Sequence, residues 1–210
     1  AGPVDLPRQR PVRLGIFGGT FDPVHIGHLI VAQDAWAALG LDQVVFVPAA
    51  VPPHKRGRVQ ATPEQRLEML RAATAGDPRF ATSDIELRRP GPSYTVDTLR
   101  ELRERDPTGA LFLLLGVDQF REFHTWREPD EIARLATIVV MSRGGAEPPE
   151  LPREFAYQWL PVTRVDISAT EIRRRIAAGE PVKYLVPAAV EAVIWREGLY
   201  GVLGGVGAVE

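Results

Sequence analysis

The segment GGTFDPVHIGH, which runs from Gly18 to His28, combines residue types that bind phosphate. Gly18 and Gly19 follow a short apolar run and let a ligand approach the backbone closely. A helix that begins after them would offer free N–H groups and the positive end of its dipole to an anion. His25 and His28 are three residues apart, so they share one face of that helix's first turn. The segment therefore predicts a polyphosphate site.

Spacing alone leaves other interpretations of this segment open. Thr20 adds a hydroxyl donor to the predicted site. The same residues are also compatible with an ordinary tight turn in which Asp22-Pro23 starts the helix and both histidines are solvated. The segment matches neither the P-loop nor the dinucleotide-binding pattern. Zinc is disfavoured because a catalytic zinc site usually takes three protein ligands, and the remaining histidines, His54 and His124, have no carboxylate at metal-site spacing. We expect no metal held by the protein alone.

Two further segments carry anion-binding groups. In ISATEIRRR, Ser168 and Thr170 stand at a predicted helix start and Arg173 lies one turn further in. PPHK is a loop stiffened by two prolines that ends at Lys55. Each has a plain alternative, a capping box with a solvated basic face or an exposed basic loop. Together with the first segment they indicate transfer chemistry on a nucleoside triphosphate.

The absence of cysteine and of an obvious catalytic triad narrows the chemistry. An acceptor that is itself a phosphate is already an anion at neutral pH, so it needs neither a general base nor a covalent intermediate. The protein would have to align two anionic substrates and neutralise charge on the leaving pyrophosphate. Histidine, lysine and arginine side chains, backbone N–H groups and Mg²⁺ are sufficient for that task.

Composition sets limits on the class of protein. The 210 residues are 45% hydrophobic and 25% charged, which is ordinary for a globular protein with one core. A net charge of −2 argues against a protein that coats nucleic acid. No apolar run approaches the roughly 20 residues needed to span a bilayer, and the first residues lack the apolar region of a secretory signal. With no cysteine as well, we expect a cytoplasmic protein without nucleic-acid or membrane partners.

Strand and helix signals alternate along the chain and predict an α/β fold. We expect a Rossmann-like, doubly wound, mostly parallel sheet with a small C-terminal helical part. Ligands of such sheets bind beyond the carboxyl ends of the strands, where the first segment lies. The predicted strands are 12–17, 43–48, 80–87, 110–116, 136–142 and 157–160, and the predicted helices are 26–39, 62–75, 95–105, 129–135, 168–178 and 187–198. The predicted organisation is a flexible arm (1–11), a single domain (12–200, helical from about 165) and a flexible tail (201–210).

The segments are similar to the signatures of a known family. GGTFDPVHIGHL resembles the first signature of nucleotidyltransferases with a T/H-x-G-H motif, and ISATEIR resembles their second, usually I-S-[ST]-T-x-I-R. Further segments follow in the order found in bacterial nicotinate-nucleotide adenylyltransferases. They are VPAAVPPHK, RLEML, SYTVDTL, LLLGVDQF with a Trp eight residues after Asp118, and LVPAAVEAVIWREGLY. The resemblance covers the chain from about residue 12 to about residue 200.

This resemblance implies transfer of AMP from ATP to nicotinate mononucleotide, giving deamido-NAD and pyrophosphate in NAD biosynthesis, with Mg²⁺ carried by ATP. The catalytic residues it implies are His25, His28, Lys55 and Arg173. The ATP-binding residues would be Gly18, Gly19, Thr20, Phe21, His25, His28, Gly116, Asp118, Ile167, Ser168, Thr170 and Arg173. The nicotinate mononucleotide would contact Lys55, Ser93, Tyr94, Thr95, Trp126 and Arg127, with Trp126 stacked on the pyridine ring.

Three positions depart from the family pattern. Ala169 stands where relatives often have a second hydroxyl, so one phosphate contact is missing from the expected set. Arg127 replaces an aromatic residue and could pair with the nicotinate carboxylate or remain solvated. Gly144 replaces a proline in the usual S-R-P-G, which puts the role of Arg143 in question.

Related functions stay open at this stage. Sister enzymes of the same fold act on nicotinamide mononucleotide, pantetheine phosphate or glycerol phosphate. A fragment of a class I aminoacyl-tRNA synthetase would also contain HIGH, but the chain lacks a basic stripe. A nucleotide-sensing module that has lost turnover is the non-enzyme alternative. The resemblance does not decide whether the chain forms a homo-oligomer, because relatives vary.

Overall fold

The centre of the molecule is a parallel β-sheet. A computed structural model describes residues 10–50, 59–142 and 150–201. Six strands lie in the order β3-β2-β1-β4-β5-β6, and every neighbouring pair is parallel. The strands are β1 (Arg13–Gly19), β2 (Gln43–Pro48), β3 (Phe80–Thr82), β4 (Ala110–Gly116), β5 (Thr137–Met141) and β6 (Gln158–Leu160). Strand order reverses between β1 and β4, so the predicted Rossmann-like, doubly wound α/β fold is confirmed.

Helices cover both faces of this sheet. They are α1 (Ile26–Leu39), α2 (Pro63–Thr74), α3 (Thr95–Arg105), α4 (Val117–Glu122), α5 (Pro129–Leu135), α6 (Ala169–Ala177) and α7 (Ala188–Glu197). One apolar cluster joins one face of the sheet to α1, α2, α6 and α7, and a second joins the other face to α3, α4 and α5. Side chains alternate along β2, so Phe46 belongs to the first cluster and Val45 to the second. No helix in these described ranges is long and apolar enough to cross a bilayer.

Local capping signals set several helix ends where the sequence predicts them. Thr62 caps α2, and it exchanges hydrogen bonds with Gln65 in the predicted capping box. Gly40 ends α1 in the left-handed conformation, at φ 59°, which glycine adopts without steric cost. The third predicted helix also begins and ends as expected, at Thr95 and Arg105.

Two predictions of secondary structure differ from the structure. The third strand ends at Thr82 rather than at Leu87, because the chain then turns and the Asp84 carbonyl accepts bonds from the following backbone. Ile85 is buried as a core contact within that turn, so its apolar character reflects packing rather than a strand. Helix α4 was not predicted, because six residues are too few to show a helical period.

Candidate active site

The turn between β1 and α1 has an irregular backbone that places two histidines. Phe21 adopts a left-handed φ of 52°, and the Asp22-Pro23 peptide is cis. His25 then caps α1 in an extended conformation, and the helix begins at Ile26. The alternative in which Asp22-Pro23 starts the helix is therefore wrong. The predicted start at Ile26 is confirmed.

The two histidine rings lie against each other. Their centroids are 3.7 Å apart and the rings are inclined by 28°. His28 Nδ1 accepts a hydrogen bond of 3.0 Å from the His25 backbone N–H. Because Nδ1 is the acceptor, the neutral His28 ring carries its proton on Nε2 and can donate it to a ligand. The spacing predicts that both histidines lie on one face of the helix, and in the structure their rings are stacked on each other.

Burial keeps both imidazoles neutral in the ligand-free protein. It lowers the pKa of His25 from 6.5 to about 4. Burial, followed by the repulsion of a charged His25, lowers the pKa of His28 well below 6.5. His25 Nδ1 is buried and has no hydrogen-bond partner, so one polar atom of the pair is unsatisfied. The pair is therefore neutral at pH 7 and has one buried nitrogen without a hydrogen bond from the protein.

Glycines beside the pair make room for aromatic rings. A Cβ on Gly27 would lie 2.9 Å from the His25 ring, and one on Gly19 would lie 3.1 Å from the Phe21 ring. Gly18 pairs with Val47 of β2. The sequence predicts that a ligand approaches the backbone closely at Gly18 and Gly19. At Gly19 and Gly27 the structure shows another reason for glycine, because a side chain there would collide with a ring of the protein.

The second predicted segment lies next to the first. Ser168 caps α6, since its Oγ accepts a bond of 3.1 Å from the Glu171 backbone. Arg173 Nη1 donates to the Asp22 carbonyl at 2.8 Å, and its Nη2 donates to Thr170 Oγ1 at 3.3 Å. The Glu171 carboxylate is bonded to arginines of α6, so only the Ser168 half of the predicted capping box forms.

A cleft of about 480 Å³ opens between the two helix N-termini, a size typical of small-molecule sites. His25, His28, Gly116, Ile167 and Ser168 are among its lining residues. A second cleft of about 570 Å³ lies at the opposite end of β4 and β5 and contains none of the predicted residues. The smaller cleft is the candidate site because it lies beyond the carboxyl ends of β1 and β4.

The predicted pyridine-binding residues lie in two segments that meet. Tyr94 caps α3, and Thr95 is its first residue. The Arg127 guanidinium carbon lies 4.6 Å from the centroid of the Tyr94 ring, a cation–π distance. Trp126 is partly buried against Phe123, with ring centroids 5.4 Å apart. Arg127 therefore contacts the Tyr94 ring, while its side chain remains exposed to solvent.

The surroundings of Ser93 are polar. Its Oγ accepts a bond of 3.0 Å from Arg89, which also donates to Thr98 and Glu101. Glu86 accepts from Thr98, and burial raises its pKa. These bonds fix the chain just before α3, where the sequence predicts contacts with the acceptor.

Other predicted residues are less closely tied to the site. Asp118 lies in the first turn of α4, and its side chain is 76% exposed. Its Oδ1 lies 3.7 Å from Arg121 Nη1. The Gly116 N–H donates to Gln119 Oε1 at 3.0 Å. Lys55 lies outside the described residues, as do Arg143 and Gly144. Within the described ranges, no three His, Cys, Asp or Glu side chains are grouped so that they could hold a metal ion.

Sequence reasoning missed three buried polar residues around the turn. Arg66 is fully buried, and its Nη1 donates to the carbonyls of Thr20 and Ala49 at 2.8 Å each. Asp22 and Tyr200 are also buried, and their side chains are hydrogen-bonded at 2.7 Å. A signal for Arg66 does exist in the sequence, because it precedes Met69 and Leu70 at helical spacing and so lies on the apolar face of α2. Nothing local pairs Asp22 with Tyr200.

Comparisons with known proteins identify the family and the fold. Residues 16–175 match the cytidylyltransferase-like family model. A protein named "Probable nicotinate-nucleotide adenylyltransferase" from Thermus thermophilus is 49% identical over 190 residues, which cover 90% of this chain and 100% of that one. A protein of the same name from Shouchella clausii is 43% identical over 189 residues, which cover 90% of this chain and 97% of that one. Among solved structures, the fold is similar to that of Plasmodium falciparum nicotinic acid mononucleotide adenylyltransferase complexed with NaAD. The TM-score is 0.73 at 18% identity, and the match covers 91% of this chain and 98% of that one.

Proposed function

The chain belongs to the cytidylyltransferase-like family, and from that premise we propose that it transfers AMP from ATP to nicotinate mononucleotide. The products are pyrophosphate and deamido-NAD, or nicotinate adenine dinucleotide, in NAD biosynthesis. One observation carries the proposal: the N-termini of α1, at His25, and α6, at Ser168, line a single cleft beyond the carboxyl end of β1. Two helix N-termini on one cleft suit a polyphosphate.

The reaction we propose is a direct displacement. An oxygen of the acceptor phosphate attacks the α-phosphorus of ATP, the new P–O bond forms, and the bond to the bridging oxygen breaks. The electron pair of the broken bond leaves with pyrophosphate. No proton has to be removed from the acceptor, because its attacking phosphate oxygen is already unprotonated at neutral pH. The protein then contributes alignment of two anions and stabilisation of the charge that develops on the leaving group.

His25 and His28 would supply that stabilisation. Both are neutral before ATP binds, and His28 presents its Nε2 proton as a donor. A bound triphosphate would raise both pKa values, because a nearby anion favours the charged imidazole. Ser168, Thr170 and Arg173 would contact the phosphates from the α6 side, and Gly116 and Asp118 would approach the riboses.

Acceptor selection is proposed to come from the Tyr94 and Arg127 contact. Arg127 carries a positive charge on the Tyr94 ring, close to Thr95 and Trp126, so a carboxylate on the pyridine ring would gain an ion pair that an amide would not. This is our account of the position where relatives often have an aromatic residue. It favours the nicotinate form over the sister acceptors.

The remaining expectations from the sequence enter as proposals. Mg²⁺ would arrive with the ATP phosphates and neutralise part of their charge, because the described residues offer no three-ligand cluster of their own. Lys55 is proposed to contact both substrates. The cytoplasmic location and the absence of nucleic-acid partners stay predictions.

The test is an acceptor assay that follows pyrophosphate release from ATP. We expect rapid release with nicotinate mononucleotide and far slower release with nicotinamide mononucleotide or pantetheine phosphate. A reaction without acceptor gives the background of ATP hydrolysis. Equal rates with the acid and the amide, or no release with either, would overturn the acceptor assignment.

A further inference from the structure

Side chains from distant parts of the chain converge on the turn that precedes His25. The turn itself, residues 18–24, contains no helix or strand hydrogen bonding after Gly19. Its conformation includes a left-handed residue at Phe21, so outside contacts must fix it. Those contacts come from the start of α2, from α6 and from the residues that follow α7.

Asp22 is the centre of these contacts. Its side chain is buried, and its carboxylate accepts three hydrogen bonds. The backbone N–H groups of Gln60 and Ala61 donate at 2.9 and 3.1 Å, and the Tyr200 hydroxyl donates at 2.7 Å. A carboxylate satisfied by three donors tolerates burial and holds each donor at a fixed distance.

Tyr200 is itself held firmly. It lies 5% exposed in the short turn Leu199–Gly201, with φ 62° and ψ 30°, a conformation that residues other than glycine seldom adopt. A conformation of this kind persists only when the surrounding structure determines it. The hydroxyl of Tyr200 is therefore placed on Asp22 by the packing of the C-terminal helices rather than by chance.

Arginines hold the backbone on either side of Asp22. Arg66 donates to the Thr20 carbonyl, and Arg173 donates to the carbonyl of Asp22 itself, both at 2.8 Å. Arg66 Nη1 also donates to the Ala49 carbonyl, so this buried guanidinium joins the turn to the end of β2, while its Nε and Nη2 have no partner. Because the peptide unit is planar, fixing the Thr20 carbonyl also fixes the direction of the Phe21 N–H group. The bond from Arg173 fixes the peptide unit that joins Asp22 to Pro23.

We infer that Asp22 and Tyr200 form a positioning pair, through which the C-terminal segment holds the phosphate-binding turn in the conformation that receives ATP. This rests on the proposed function only in naming ATP as the ligand. Neither residue is among those that line the cleft. Their effect reaches the substrate through Thr20 and His25, which lie two residues before and three residues after Asp22.

The test variant is Tyr200→Phe, which removes one hydroxyl and keeps the buried ring. We expect the dissociation constant for Mg·ATP, measured by titration calorimetry, to rise about tenfold, as for the loss of a hydrogen bond to a charged group. The KM for nicotinate mononucleotide should change less than twofold. Tyr184→Phe is the matched control, because Tyr184 lies in the same C-terminal part and is 80% exposed.

A purely structural role would give a different pattern. Equal weakening of both substrates in step with a lower melting temperature, or ATP affinity within twofold of the Tyr184→Phe control, would overturn the inference. Asp22→Asn is the second variant and decides the matter by the same titration if Tyr200→Phe does not fold. If neither variant folds, the pair is a structural contact only, which also overturns the inference.

The outcome is separable from that of the proposed function. A wild-type chain that binds Mg·ATP but releases no pyrophosphate with nicotinate mononucleotide would contradict the proposed function and leave the positioning pair testable. An active wild-type enzyme whose Tyr200→Phe variant binds ATP unchanged would contradict the positioning pair alone.

Discussion

At the scale of single residues, the stacked imidazoles of His25 and His28 determine how the site meets an anion. Their rings are 3.7 Å apart, so two positive charges there would repel each other unless an anion lies beside them. The sequence predicts that the two imidazoles share one face of the first turn of the helix. In the folded chain, burial lowers the pKa of both rings, so the pair is neutral at pH 7.

Replacing His28 tests its part in the reaction. His28→Ala should lower kcat by roughly 10²–10³-fold, as for the loss of one preorganised donor to a developing charge. The measurement is steady-state pyrophosphate release. His124→Ala removes an exposed histidine and serves as the control. A wild-type kcat in His28→Ala would refute a catalytic role.

Protonation of His25 also links folding to pH. The pKa of His25 is about 4 in the folded chain and 6.5 in the unfolded chain, so between these values only the unfolded state takes up the proton. Stability is therefore complete above pH 6.5 and falls as the pH is lowered towards 4. From pH 7 to pH 5 we expect a loss of about 1–2 kcal/mol from this group.

Denaturant unfolding at several pH values measures that loss. The free energy of unfolding of the wild type should decline more steeply from pH 7 to pH 5 than that of His25→Gln. His124→Gln should follow the wild type, because His124 is exposed. Parallel curves for the wild type and His25→Gln would show that the His25 pKa is not depressed.

At the scale of elements, the first turn of α1 is built around the His25 ring. Gly27 belongs to the helix, where alanine would ordinarily be favoured by about 1 kcal/mol. A Cβ at this position would lie 2.9 Å from the ring and 3.3 Å from Val165. The position of the His25 ring therefore requires glycine at residue 27, although alanine would favour the helix more.

Substitution of Gly27 separates these two demands. Gly27→Ala should displace the His25 ring and lower kcat at least tenfold, while the chain still folds. The measurement combines pyrophosphate release with a thermal melt. Ala37→Gly, at an exposed position of the same helix, changes helix preference in the opposite direction and should leave kcat unchanged. Full activity in Gly27→Ala would show that the ring adapts without cost.

At the scale of the whole molecule, the C-terminal helices share the core of the sheet. Val190 and Ile194 of α7 are fully buried in the same apolar cluster as Met69 and Leu70 of α2. This packing places Tyr200 beside Asp22, because the chain reaches Tyr200 directly after α7 ends. The helical part is therefore joined to the site by apolar packing as well as by hydrogen bonds.

Shortening a buried side chain of α7 tests whether the chain unfolds as one unit. Ile194→Ala should lower the free energy of unfolding by about 2–5 kcal/mol. Circular dichroism and tryptophan fluorescence should report a single shared transition. Glu197→Ala, at an exposed position of α7, should change the free energy by less than about 0.5 kcal/mol. Two separate transitions would show that the C-terminal part folds independently.

Much of the fold and of the candidate site follows from the sequence by itself. The alternation of strands and helices, the caps at Thr62 and Gly40, and the three segments with anion-binding groups are local patterns, and local patterns act over a few residues. They determined the parallel sheet, the helix that begins at Ile26 and the candidacy of His25 and His28. The short α4 and the end of β3 carried too few residues for such a signal.

The tertiary structure alone decided how the site is held. Arg173 meets Asp22 across 151 residues of sequence, and Tyr200 meets it across 178. No spacing rule connects such positions, because their contact depends on where the sheet and α7 place the chain. Burial likewise lowers the pKa of His25 and of His28, and burial is a property of the folded molecule. The sequence therefore determined which groups could bind phosphate, and packing determined their position and charge.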